Sequence, residues 1–145
     1  MASYEKRTWW STHKLTERLQ SPAFLDAAVT TAVVIAAADG SMSEQEQDAL
    51  LDRLEILGGV DRDKIDELVT DVTRDIEGNG FEPRIAKLDD LLGDAAEGEA
   101  ALMLGLAIAL ADDDVSTEER EVLTQIATKL DLKVNLDTLI TEVRG

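Results

Sequence analysis

Two stretches of this chain, seventy-three residues apart, are versions of one another. Each is a run of small apolar residues that ends in an aspartate, an acidic loop and a Ser-x-x-Glu tetrad. The first reads IAAADGSMSEQE at 35–46 and the second IALADDDVSTEE at 108–119. Identities in the same register include Ala27/Ala100, Ala28/Ala101, Ile35/Ile108, Asp39/Asp112, Ser43/Ser116, Glu46/Glu119, Leu50/Leu123 and Leu57/Leu130. Aliphatic exchanges such as Val29/Leu102 fill several other positions. A helix–loop–helix unit written twice predicts two hairpins about a pseudo-two-fold axis, and two copies are too few for a solenoid.

The rest of the chain keeps the helical period. No stretch shows sustained alternation, and turn signals recur at helix-length intervals. The expected order begins with a helix over 4–19. Ser21-Pro22 then opens a second helix, running to Ala38, as N-cap and first helical residue. Ser43 caps a third, with Ala49, Leu50, Leu54 and Leu57 inward, and Gly58-Gly59 stops it. Asp61 caps a fourth, with Ile65, Leu68, Val69, Val72 and Ile76 inward, closed at 78–80. A short fifth starts around Pro83 and a sixth covers about 95–111. Ser116 caps a seventh, with Val122, Leu123, Ile126, Ala127 and Leu130 inward, and a last helix covers about 135–144. The reading is all-α: a single domain over 1–145 of about seven to eight helices. It has an N-terminal helix in 1–21, repeat one at about 22–57 and repeat two at about 95–130.

Composition narrows the function. The chain holds no cysteine, which removes disulfides, thiolate metal sites and thiol catalysis. Net charge is −17. Lys6, Arg7, Lys14 and Arg18 against Glu5 and Glu17 leave residues 1–20 at +2, so the remainder stands at −19. Such a body repels nucleic acid and anionic lipid and attracts cations or basic partners. The apolar runs at 27–38 and 100–111 fall short of the ~20 residues that span a bilayer. Residues 1–20 have no apolar core of a signal peptide. The expectation is a cytoplasmic protein with no direct membrane insertion and no nucleic-acid partner.

Small residues four apart, Ala28/Ala32/Ala36 and Ala101/Gly105/Ala109, give the first helix of each copy a face suited to close helix packing. At about 100° per residue, Asp39 lies within about 20° of that face, as does Asp112 in its copy. Each copy therefore presents two carboxylates, Asp39 with Glu46 and Asp112 with Glu119. The plain reading is a capping box, in which serine and glutamate satisfy each other's backbone N–H. Two details add a second reading. Glu46 and Glu119 continue the apolar stripes of their helices and so lean inward. The second loop is Asp112-Asp113-Asp114, with Glu118 and Glu119 close behind, and such a cluster repels itself unless solvated, protonated or bridged by a cation. An all-oxygen set suits Ca²⁺, Mg²⁺ or Mn²⁺. It is not an EF-hand, because Thr117 and Leu123 stand where Gly and the bidentate Glu belong. Nor is it a ferritin-like site, because Glu-x-x-His is absent. His13, the lone histidine, lies outside both copies.

These residues resemble the TerB-like family of bacterial tellurite-resistance proteins, over roughly residues 22–132. The resemblance implies an all-α fold of seven or eight helices with internal two-fold character. It also implies an acidic metal-binding site, carried here onto Asp39, Glu46, Asp112 and Glu119, with Asp113, Asp114 and Glu118 behind them. The implied role is stress response, including resistance to tellurite, phage and colicins, as a cytoplasmic partner of a membrane-bound complex. Asp113 stands where the family pattern has Gly, a departure an Asp tolerates in a left-handed turn. Beside the ion-binding module stand an ion-independent interaction scaffold and, third, a metal-dependent hydrolase. The segment MASYEKRTWWSTHK reads either as a cover over the bundle or as a docking segment, since Trp9 and Trp10 lie off the two sides of the Tyr4/Thr8/Leu15/Leu19 face.

Overall fold

A computed structural model describes residues 14–38, 43–109, 115–133 and 135–144. Among them eight helices form and no strand does. They are α1 (Leu15–Arg18), α2 (Pro22–Ala37), α3 (Glu44–Gly58), α4 (Arg62–Asn79), α5 (Glu82–Leu91), α6 (Ala95–Ala109), α7 (Thr117–Lys129) and α8 (Leu136–Arg144). The single helix expected over 4–19 does not run through residue 14. Lys14 takes the left-handed conformation, φ 54°, and α1 begins after it; residues 4–13 lie outside the described residues. No local signal marks Lys14 as a break. What holds the turn is tertiary: Leu15 and Leu19 are buried on either side of it.

The caps fall where the side chains can supply them. Ser21 Oγ accepts the N–H of Phe24 with Pro22 following, and Asp61 accepts from Asp63. Gly59 closes α3 at φ 62°, a conformation that costs a Cβ-bearing residue about 1 kcal/mol or more. α5 starts at Phe81, which has no side chain able to cap, and the proline at 83 supplies the helical φ instead.

α2 is the axle. Phe24, Leu25 and every residue from Ala27 to Ala36 are buried, so the helix is apolar all round and must be enclosed. Its two interior hydroxyls are satisfied locally: Thr31 Oγ1 donates to the Ala27 carbonyl at 2.8 Å, and Thr30 Oγ1 to Asp26 Oδ1 at 3.2 Å. The most extensive helix contact in the molecule is α2 against α6, and α2 also touches α3, α4, α5 and α7. α6 is buried nearly throughout from Ala100 to Ala107. The two backbones meet at Gly105, where a Cβ would lie 2.8 Å from Thr31 Cγ2 and 2.9 Å from Ile35 Cδ1. The outer helices each give one stripe to this pair: Leu50 and Leu54 from α3, Ile65 and Val72 from α4, Leu88 from α5, Leu123 and Ile126 from α7, Leu139 from α8. Ala49, Leu68, Ile76 and Leu130, expected inward, are half-buried at the margins of those stripes.

Polar ties bind the outer layer. Arg62 Nη1 on α4 donates to Asp52 Oδ1 on α3 at 2.9 Å. Arg84 on α5, mostly buried, pairs with Asp75 on α4 and lies 3.6 Å from Asp26 on α2. Asn79 Nδ2 and Arg84 both donate to Asp75 and hold its carboxyl below the ordinary 3.8. A lowered folded-state pKa contributes stability above the unfolded value, lost as pH falls through the folded one. The stability difference between the wild type and Asp75→Asn should therefore shrink as pH drops below about 4, and hold constant above it. Urea unfolding of both proteins across that range checks this; a gap independent of pH would refute it.

Candidate metal centre at two capping boxes

α3 and α7 begin alike. Ser43 and Ser116 leave the loop extended, at ψ 163° and 166°, so that each hydroxyl swings back over the first turn. Ser43 Oγ accepts the Glu46 N–H at 3.1 Å, and Glu46 Oε1 accepts the Ser43 N–H at 3.0 Å. Ser116 Oγ accepts the Glu119 N–H at 3.1 Å, and Glu119 Oε1 accepts the Ser116 N–H at 2.9 Å. Both boxes are complete. The capping reading of the repeated tetrad is therefore correct as local structure.

Capping does not by itself explain where these glutamates sit. A comparable arrangement opens α6, which the sequence reading did not single out although GDAAEG at 93–98 has the spacing. There Asp94 Oδ1 accepts the Glu97 N–H at 2.9 Å, and Glu97 Oε1 accepts the Gly93 N–H at 2.6 Å. Glu97 does this with its side chain 26% exposed and Arg18 Nη1 3.7 Å away. Glu46 and Glu119 do it at 3% and 4% exposure. Removing a carboxylate from water costs several kcal/mol, which must be offset locally. One backbone N–H and the positive end of a helix dipole supply part of that.

Of the other residues in the predicted set, Glu118 lies in the first turn of α7 and is exposed. Asp39, Asp112, Asp113 and Asp114 lie outside the described residues. Among the described residues no three His, Asp or Glu side chains cluster as a metal ion requires. The donor chemistry present, two buried carboxylates whose oxygens have lone pairs beyond the one N–H each accepts, fits a hard cation and not a soft one.

No helix among the described residues is long and apolar enough to cross a membrane. No curated protein and no solved structure shows significant similarity to the chain. A family model described as "Tellurite resistance protein TerB" matches residues 25–135, which takes in α2 through α7 and both capping boxes. That match covers well over half of the sequence. The chain belongs to the TerB family of tellurite resistance proteins.

Proposed function

We propose that the chain is a non-catalytic, cytoplasmic stress-response module that holds a hard divalent cation and contacts partner proteins. Ca²⁺, Mg²⁺ or Mn²⁺ would be held by Glu46 and Glu119 together with Asp39 and Asp112, with Asp113, Asp114 and Glu118 adding field around it. The partner class is other proteins, a membrane-bound resistance complex among them. The observation that carries the reading is the burial of two capping glutamates at matching places in the two copies, each at the foot of an acidic loop. The proposal includes the internal repeat: α2–α3 and α6–α7 as hairpins about a pseudo-two-fold axis. A bound cation supplies charge neutralisation between the loops. The chain's own part is to aim the carboxylates, which the capping boxes do by tying one oxygen of each glutamate to a backbone N–H. Family membership supports a non-catalytic role.

Calorimetry of Ca²⁺, Mg²⁺ and Mn²⁺ against metal-stripped protein, with thermal melting in parallel, tests this. Stoichiometric binding that raises the melting temperature is expected. Glu46→Gln and Glu119→Gln should each weaken it at least tenfold, about 1.4 kcal/mol. The melting temperature of the stripped protein should barely change, because Gln also serves in a capping box.

A second reading has its own observation in favour. Because both boxes are complete, the glutamates have a structural reason to be there without any ion. If no saturable binding is seen at millimolar cation, the chain is an ion-independent helical scaffold.

A further inference from the structure

A groove of about 530 Å³ runs along the second half of α4. Val33 of α2 and Val69 of α4 form its buried floor. Ile76 and Phe81 line it half-buried, with Gln47 and Thr73 at the rim. The groove-facing residues of α4 recur at 69, 73, 76 and 77, a helical stripe of roughly 12 Å at 1.5 Å per residue. That length matches two turns of a helix laid alongside.

The walls are strongly one-sided in charge. α3 has five carboxylates against Arg53, and α4 has six against Arg62, Lys64 and Arg74. At the rim Asp66 takes a hydrogen bond from Gln47 Nε2 at 3.4 Å, and Glu77 stands with Arg74 on the lining. An occupant must be apolar on one face and basic on its flanks.

We propose that this groove docks an amphipathic helix of a partner protein, with aliphatic residues at i, i+3, i+4 and i+7 and lysine or arginine flanks. The apolar face covers Ile76 and Phe81, and the basic flanks meet the acidic walls of α3 and α4. This is the helix-in-groove mode of recognition. It deepens the partner-binding part of the proposed function and does not depend on the ion. The chain's own residues 1–13 supply a poorer fit, since Trp9 and Trp10 fall to opposite sides of their helical face rather than forming one stripe.

The test is a nuclear magnetic resonance titration of the ¹⁵N-labelled full-length protein, run with chelator and again with Mn²⁺ replaced by diamagnetic Ca²⁺. The probe is a synthetic amphipathic peptide of about fourteen residues with leucines on one face and lysines on the flanks; the control has glutamates in place of the lysines. Saturable shifts confined to Val33, Gln47, Val69, Thr73, Ile76 and Phe81 are expected in both conditions. Affinity should fall at least tenfold for the glutamate peptide and should weaken with salt. Thr73→Arg, on the rim, should abolish binding without lowering the melting temperature. Binding lost only under chelator would fault the claimed independence from the ion and leave the ion reading standing. Equal binding of both peptides, or shifts centred elsewhere, would overturn the proposal. So would displacement of the chain's own segment, seen as a change in Trp9/Trp10 emission on titration. A dimer that Thr73→Arg converts to monomer would assign the groove to a second copy and equally overturn it.

Discussion

Gly105→Leu should lower the stability of the protein by about 2–3 kcal/mol, a fall in melting temperature of roughly 10 °C for a chain of this size. At Gly105 the neighbour is the Cγ2 of a β-branched, fully buried threonine, 2.8 Å from where a Cβ would sit. Thr31 cannot turn away, because its hydroxyl is bonded to the Ala27 carbonyl. A leucine would push α6 off α2 along their whole contact. Gly105→Ala should be much milder, because the gain in helix propensity, about 1 kcal/mol, offsets much of the single-methyl overlap. Thr31→Ser removes the clashing methyl and keeps the hydroxyl, so it should rescue Gly105→Ala by a measurable coupling in a double-mutant cycle. Thermal melts of the four proteins decide the matter. Tolerance of leucine with an unchanged melting temperature would mean that the helices do not approach so closely.

Phe24→Ala should cost about 3–5 kcal/mol, a third or more of the stability of an ordinary domain. Aromatic residues make up only 3% of this sequence, so the core is aliphatic, and Phe24, 1% exposed, is among its largest fully buried side chains. It stands at the start of α2, where no neighbouring ring can move in to fill the space. Phe81→Ala should cost less, since that ring is half-buried at the groove. Ile56→Ala is the control: at 78% exposure it should shift stability by less than about 0.5 kcal/mol. Urea midpoints for the three variants give the order, and Phe24→Ala no worse than Ile56→Ala would contradict the core described above.

Much of the fold was legible because its helix starts are chemical. Ser21, Ser43, Asp61 and Ser116 were each expected as caps, and each accepts a backbone N–H in the structure. Gly59 was legible as a stop because few other residues take its φ of 62° without strain. The inward lean of Glu46 and Glu119 followed from helical period alone, and both are buried. The illegible parts are those set by distant contacts. Lys14 turns left-handed to bring Leu15 and Leu19 into the core, and nothing in its own type asks for that. Arg84 joins three helices through Asp26 and Asp75, partners fifty-eight and nine residues away that no local pattern links. The groove depends on α4, α3 and α2 meeting at a given spacing, which period and propensity do not specify. The site itself divides in the same way: the glutamates belong to helices and are placed, while Asp39, Asp112, Asp113 and Asp114 belong to loops outside the described residues.

The pairing of α2 with α6 also has a consequence in time. The two helices that most need each other begin seventy-three residues apart in the chain. During synthesis at about 5–20 residues per second, α2 leaves the ribosome roughly 4–15 s before its partner follows. Through that interval an all-round apolar helix has only α3, α4 and α5 to cover it. Non-local contacts of this kind slow folding relative to helical proteins built from sequence neighbours. The nascent first half is therefore the stage at which this protein is most exposed to aggregation and most in need of a chaperone.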